Sequence, residues 1–147
     1  MTTFRVILLA TDFSPASSAA LDLAFRMARL GKTVLLVAHA WEEPHLPDLS
    51  FTHARLYAAY EQTVRAKAAA ELDRIVERAR AQGIDARPLL LSGFADEAII
   101  ASARQQKADL IVMGTHGRRG PGRFLLGSVA ANVVASAPCP VVTVRAA

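Results

Sequence analysis

The chain has 147 residues, 52% of them hydrophobic, and 17 basic against 13 acidic side chains leave a formal charge of +4. That length suits one domain, 1–147, and that hydrophobic content excludes wholesale disorder. No apolar run approaches the roughly 20 residues that span a bilayer, which argues against a membrane protein, and the single cysteine, Cys139, excludes an internal disulfide.

In chain order, MTTFRVILLATDF carries a short apolar core, Val6 to Ala10, then Asp12 and no small-residue cleavage site. It does not read as a signal peptide, and the cytoplasm is the expected compartment. Phe4 to Ala10 reads as a buried parallel strand. Ser14-Pro15 reads as a helix start, a cap residue followed by proline at the first helical position. That helix places Ala20, Leu21, Ala24, Phe25 and Ala28 on one face and is expected to stop at Gly31. Thr33 to Ala40 is a second buried strand, and Trp41 to Ser50, with two prolines, a loop. A long helix from about Thr52 to Gln82 ends at Gly83. Ile84 to Leu91 is a third strand. Ala95 to Gln105 is a helix with Ile99 and Ile100 inward, and Asp109 to Met113 is a fourth strand. Ser128 to Ser136 is a last helix, ended by Pro138-Cys139-Pro140, and Pro140 to Val144 a last strand. Strands alternating with helices predict an α/β fold, a parallel sheet with helices on both faces.

The surplus charge does not spread as a duplex footprint would. From Glu61 to Arg80 acids and bases alternate along a solvated helix face. Arg118, Arg119 and Arg123 supply three of the surplus charges from one loop, which fits a local anion site and argues against nucleic acid. That loop also holds five of the eight glycines, between Gly114 and Gly127. It leaves a strand at Gly114 and opens a helix at Gly127-Ser128. Helix N-termini expose unpaired N–H groups and bind anions. Glycines let the backbone approach a phosphate and adopt positive φ. The common fingerprints fail here. Gly117 to Phe124 lacks the lysine and hydroxyl of a Walker loop. Gly120-Pro121-Gly122 lacks the third glycine of a dinucleotide loop, where Leu125 stands. What fits is Gly114-x2-Gly117-x9-Gly127-Ser128.

With that pattern, the strand ending ATDFS, the strand ending HAWEEP and the closing PCPVVTV, the chain resembles the ATP-binding branch of the universal stress protein family. The resemblance spans residues 6 to 144. It implies a doubly wound, five-stranded sheet of order 3-2-1-4-5, of the adenine nucleotide alpha hydrolase-like kind. Strands 1 and 4 then adjoin, and the crevice at their C-terminal ends is a switch point for ligands.

Carried over residue by residue, the resemblance puts Asp12 against the adenosine part of ATP. His39-Ala40 stands where the family has a His-Val pair beside adenine, so Ala40 makes a looser wall, and His39 reads as a packed strand-end residue. Met113 and Gly114 fall beside the ribose. Gly117, Gly127, Ser128 and Val129 form the phosphate cradle, with Ser128 serving equally as a helix cap. Of Arg118, Arg119 and Arg123, at least one is expected to reach the phosphates. His116 is expected to be exposed. His45, Asp48 and His53 match no metal motif.

No Walker lysine, magnesium-binding hydroxyl or water-activating base is evident, and nothing sets His116 against Ser128, so no catalytic residue is assigned. The chain reads as a binder of ATP, with or without Mg²⁺, and leaves slow hydrolysis open. The short apolar last strand, PVVTV, predicts a homodimer through that edge. Two alternatives stand beside this reading: a dimeric interaction protein of the same fold without nucleotide, and an enzyme acting on ATP.

Overall fold

Unbroken apolar runs belong in strands covered on both sides, and that is what they form. The computed structural model describes residues 3–42, 51–116 and 126–146. The strands are β1 (Val6–Ala10), β2 (Val34–Trp41), β3 (Asp85–Ser92), β4 (Leu110–Gly114) and β5 (Val141–Val144). The helices are α1 (Ser18–Ala28), α2 (Phe51–Ala81), α3 (Ala95–Gln105) and α4 (Ser128–Ser136). All strands pair in parallel in one five-stranded sheet of order β3-β2-β1-β4-β5. This is the α/β order that the resemblance implied.

Successive side chains leave a strand on opposite faces. On one face Ile7, Leu9, Leu35, Val37 and Val112 meet Ala24 and Phe25 of α1 and Leu72 and Val76 of α2. On the other, Leu8, Ala10, Ala38, Ile111 and Met113 meet Ile99 and Ala103 of α3 and Ala130 and Val133 of α4. β1 lies at the centre, with Ile7 to Ala10 buried. Its start is fastened to that of β4: Asp109 Oδ2 accepts the N–H groups of Arg5 at 2.8 Å and Val6 at 3.0 Å. Those two bonds hold the Asp109 carboxyl below its ordinary pKa.

Some boundaries differ from the sequence reading. Ser14-Pro15 opens a short 3-10 turn, Pro15–Ser17, and the α-helix proper begins at Ser18. Ser14 makes no side-chain cap bond, because its hydroxyl donates to Asp12 Oδ1 instead. Trp41 is the last residue of β2 rather than the first of a loop. It pairs with Ser92 and is 5% exposed, with the Arg65 guanidinium 5.7 Å from its ring centroid. Gly31 does not end α1 by turning left-handed. α1 ends at Ala28, and a Cβ on Gly31 would lie 3.1 Å from Thr3 Cγ2, so the glycine makes room for the chain leading into β1. Gly83, at φ +79°, does take the left-handed conformation expected after α2.

Candidate functional site

β2 and β4 flank β1 on opposite sides, so the chain leaves the C-terminal edge of the sheet in opposite directions there. A crevice opens at such a reversal. One wall is the exit from β1. Buried Thr11 organises it: its N–H donates to Ala38 O at 2.9 Å, and its Oγ1 accepts the Phe13 N–H at 3.1 Å. Ser17 Oγ donates to Ser14 O at 2.8 Å and therefore accepts the Thr11 hydroxyl, 3.1 Å away. Asp12 Oδ1 accepts the Ser14 N–H at 2.9 Å as well as the Ser14 hydroxyl. Phe13 turns with φ at 64°, and its ring stacks on His39, with centroids 4.2 Å apart and planes at 29°. His39 lies 2.8 Å from the Thr11 carbonyl, which can only accept, so Nδ1 carries the proton.

The other wall is the end of β4. Met113 is buried, and Gly114 closes the strand. A Cβ on Gly114 would lie 3.4 Å from both Ala16 O and His116 O, so the turn after β1 and the end of β4 meet backbone to backbone. Thr115 N–H donates to Val144 O at 3.1 Å, and Thr115 O accepts the Gly127 N–H at 2.8 Å. The start of α4 is thereby drawn to the end of β4. A Cβ on Gly127 would lie only 3.0 Å from Thr115 O. Gly127 has φ −60°, and Gly114 is not among the residues of positive φ, so both serve close approach and not an unusual turn.

Gly127, not Ser128, is the N-cap of α4, and among the described residues no side chain caps it. This corrects the reading of Ser128 as a cap. The exposed Ser128 is the first helical residue, and its N–H and that of Val129 have no partner within the helix. The positive end of the helix is therefore offered outward, toward any anion that enters. On the α3/α4 face of the sheet the same edge carries Ala38 of β2, Ala10 of β1 and Met113 of β4 and, by strand alternation, half-buried Ala40 further along β2. These are short side chains at the place where a flat ring would need room.

Of the residues singled out in the sequence, Asp12, Ala40, Met113, Gly114, Gly127, Ser128 and Val129 gather at this edge. Gly117, Arg118, Arg119 and Arg123 lie outside the described residues, as do His45 and Asp48. His39 is the packed strand-end residue expected. His116 is half-buried rather than exposed: Nδ1 sits 3.1 Å from Thr115 Oγ1, and Nε2 is buried with no hydrogen-bond partner among the described residues. Its Cδ2 would lie 3.8 Å from a Cβ on Gly127. Thr11 and Phe13 escaped the sequence reading. A threonine and a phenylalanine after an apolar run carry no local sign of a hydroxyl hub or of a left-handed turn. Among the described residues no group of three or more His, Cys, Asp or Glu could hold a metal ion, and no helix is long and apolar enough to cross a membrane.

Comparison with known proteins agrees with this fold. Residues 3–145 match the universal stress protein family. A universal stress protein of Thermus aquaticus is 40% identical over 145 residues, with 97% of this chain and 99% of that one covered. The solved structure of MJ0577, a universal stress protein of Methanocaldococcus jannaschii, has the same fold, with a TM-score of 0.86 at 24% identity over 97% of this chain and 96% of that one. A universal stress protein solved in complex with cAMP is similar at 28% identity and a TM-score of 0.68, over 99% of this chain and all of that one (100%).

Proposed function

The chain belongs to the universal stress protein family, and on that premise we propose that it binds an adenine nucleotide, ATP in the first instance, in the crevice between β1 and β4. One observation carries the reading. Gly127 lets the start of α4 lie tighter against Thr115 O than a side chain would readily permit, and Gly114 lets the β1 exit meet the end of β4, so the start of α4, which no described side chain caps, is set at the crevice. That is an anion site built by the fold. The base lies by Ala40, the ribose by Met113 and Gly114 with Asp12 against the adenosine part, and the phosphates by Gly127, Ser128 and Val129. Gly117, Arg118 and Arg119 join the phosphates through their places in the Gly-x2-Gly-x9-Gly-Ser pattern, and Mg²⁺ accompanies the triphosphate as its counter-ion. The cAMP complex of a relative supports the choice of adenine. The protein works as a cytoplasmic, nucleotide-dependent regulator. The ligand shifts it between states by binding one of them more tightly.

The reading includes a homodimer through β5. Pro140 O accepts a bond from Ile111 of β4, and Val144 O one from Thr115, just past its end. In a parallel strand that alternation turns the backbone groups of Val141 and Thr143 outward. β5 is apolar, uncharged and free of proline, whereas the opposite edge strand, β3, carries Asp85, Arg87 and Pro88. Charge and proline are what blunt an edge.

The test is to purify the protein without added nucleotide, denature it, filter it, and identify the released nucleotide by chromatography against protein concentration. Near-stoichiometric ATP is the expected result. Bound ADP or AMP points to turnover. No nucleotide, with no thermal shift on adding ATP and Mg²⁺, overturns the reading in favour of a dimeric interaction protein.

A further inference from the structure

Phe13 has no part in the nucleotide reading, yet it holds the least favourable backbone in the β1 exit. Its φ of 64° is a region that bulky residues avoid. Among the described residues Lys107 alone shares that conformation without being glycine, and it sits at an exposed helix end. Such a conformation persists where the surroundings over-determine it. They do so here. The Phe13 N–H is held by Thr11 Oγ1 at 3.1 Å, the ring lies on His39 at 4.2 Å, and His39 is held by the Thr11 carbonyl at 2.8 Å. The ring also packs on the core formed with α1 and α2. Thr11, Phe13 and His39 thus close a ring of contacts, and Asp12 is the residue between its two backbone anchors.

We propose that Phe13 is a positioning residue for the ligand: its ring, clamped on His39, fixes the turn that presents Asp12 to the adenosine part of a nucleotide. The proposal rests on the nucleotide reading of the crevice. The clamp is made entirely of the chain's own groups, and a residue held in that way costs less to order on binding. The effect is confined to the adenosine end. The start of α4 is held through Gly114, Thr115 and Gly127, and Phe13 touches none of the bonds that hold it.

The experiment is calorimetric titration of the full chain with ATP and Mg²⁺, and with inorganic tripolyphosphate measured by competition against ATP. Phe13→Gly keeps the turn and removes the ring. It is expected to weaken ATP about tenfold, the scale of one aromatic contact, while tripolyphosphate holds its affinity. Phe13→Tyr restores ATP binding. On an Asp12→Ala background, Phe13→Gly adds no further loss. If Phe13→Gly does not fold, His39→Ala removes the other half of the clamp and carries the same expectations. Additive losses in the double variant, or equal losses of ATP and tripolyphosphate, overturn the proposal while the nucleotide site stands. A wild-type chain that binds no adenine nucleotide overturns the site reading, and the proposal with it, before any variant is made.

Discussion

Gly127 is needed for space rather than rotation. A Cβ there would lie 3.0 Å from Thr115 O, so a side chain would push that oxygen away and strain the 2.8 Å bond that draws α4 to β4. Gly127→Val is expected to raise the Kd for ATP by about tenfold or more, or roughly 1.4 kcal/mol, by calorimetry, with the far-UV circular dichroism unchanged. An unchanged Kd in the folded variant removes α4 from the site. Asp109 gives a second prediction, at the other edge of the sheet. Its folded pKa is lowered from 3.8 by the backbone bonds from Val6 and Arg5. Its contribution is therefore fully present above 3.8 and lost as pH falls through the lower folded value. Asp109→Asn should lose about 1 kcal/mol near neutral pH in urea unfolding and show a flatter loss of stability on acidification. A variant whose acid limb is as steep as the wild type's would assign that limb to other carboxylates. Of the candidate site, Gly114, Gly127 and Ser128 were legible from spacing, because they stand at element boundaries that apolar runs announce, whereas Asp12, Ala40, Met113 and Val129 came from the family resemblance. Phe13 and His116 were not legible. A left-handed phenylalanine and a buried imidazole nitrogen are products of tertiary packing, and nothing within a few residues signals either.

The elements themselves were legible for a related reason. Strands buried on both faces must be apolar throughout, and α1 needs Ala20, Leu21, Ala24, Phe25 and Ala28 on one side to lie on them. The misread ends are those set by distant partners. Trp41 extends β2 because β3 runs on beside it to Ser92. Ser14 fails to cap because Asp12 takes its hydroxyl. The end of α3 carries a testable flaw of the same kind. Lys107 takes φ 53° just past the helix, where glycine is the residue without strain. Lys107→Gly should stabilise the protein by about 0.5 kcal/mol, the strain relieved exceeding the entropy glycine adds to the unfolded chain. A thermal scan should show the midpoint rising by about 1–2 °C. A fall would mean that the lysine side chain contributes more than its backbone costs.

For the whole molecule, the proposed homodimer forms through the edge at β5. Thr143→Pro removes an outward N–H and leaves the bonds from Ile111 to Pro140 O and from Thr115 to Val144 O in place. Light scattering should show the dimer become a monomer, while ATP affinity is kept. A dimer that survives the substitution uses another surface. The proposed nucleotide site and the proposed dimer edge are joined by β4, whose Gly114 ends in one and whose ladder carries the other. Trp41 adds an optical consequence. It is the chain's sole tryptophan, 5% exposed at the end of β2, two residues from His39. Its indole emits from a dry setting under a guanidinium, on the strand that supports the Phe13 clamp. The protein therefore carries an unlabelled fluorescent reporter at one known point. A red shift of its emission reads exposure of the sheet edge, and a change in intensity without that shift reads rearrangement of the aromatic neighbours.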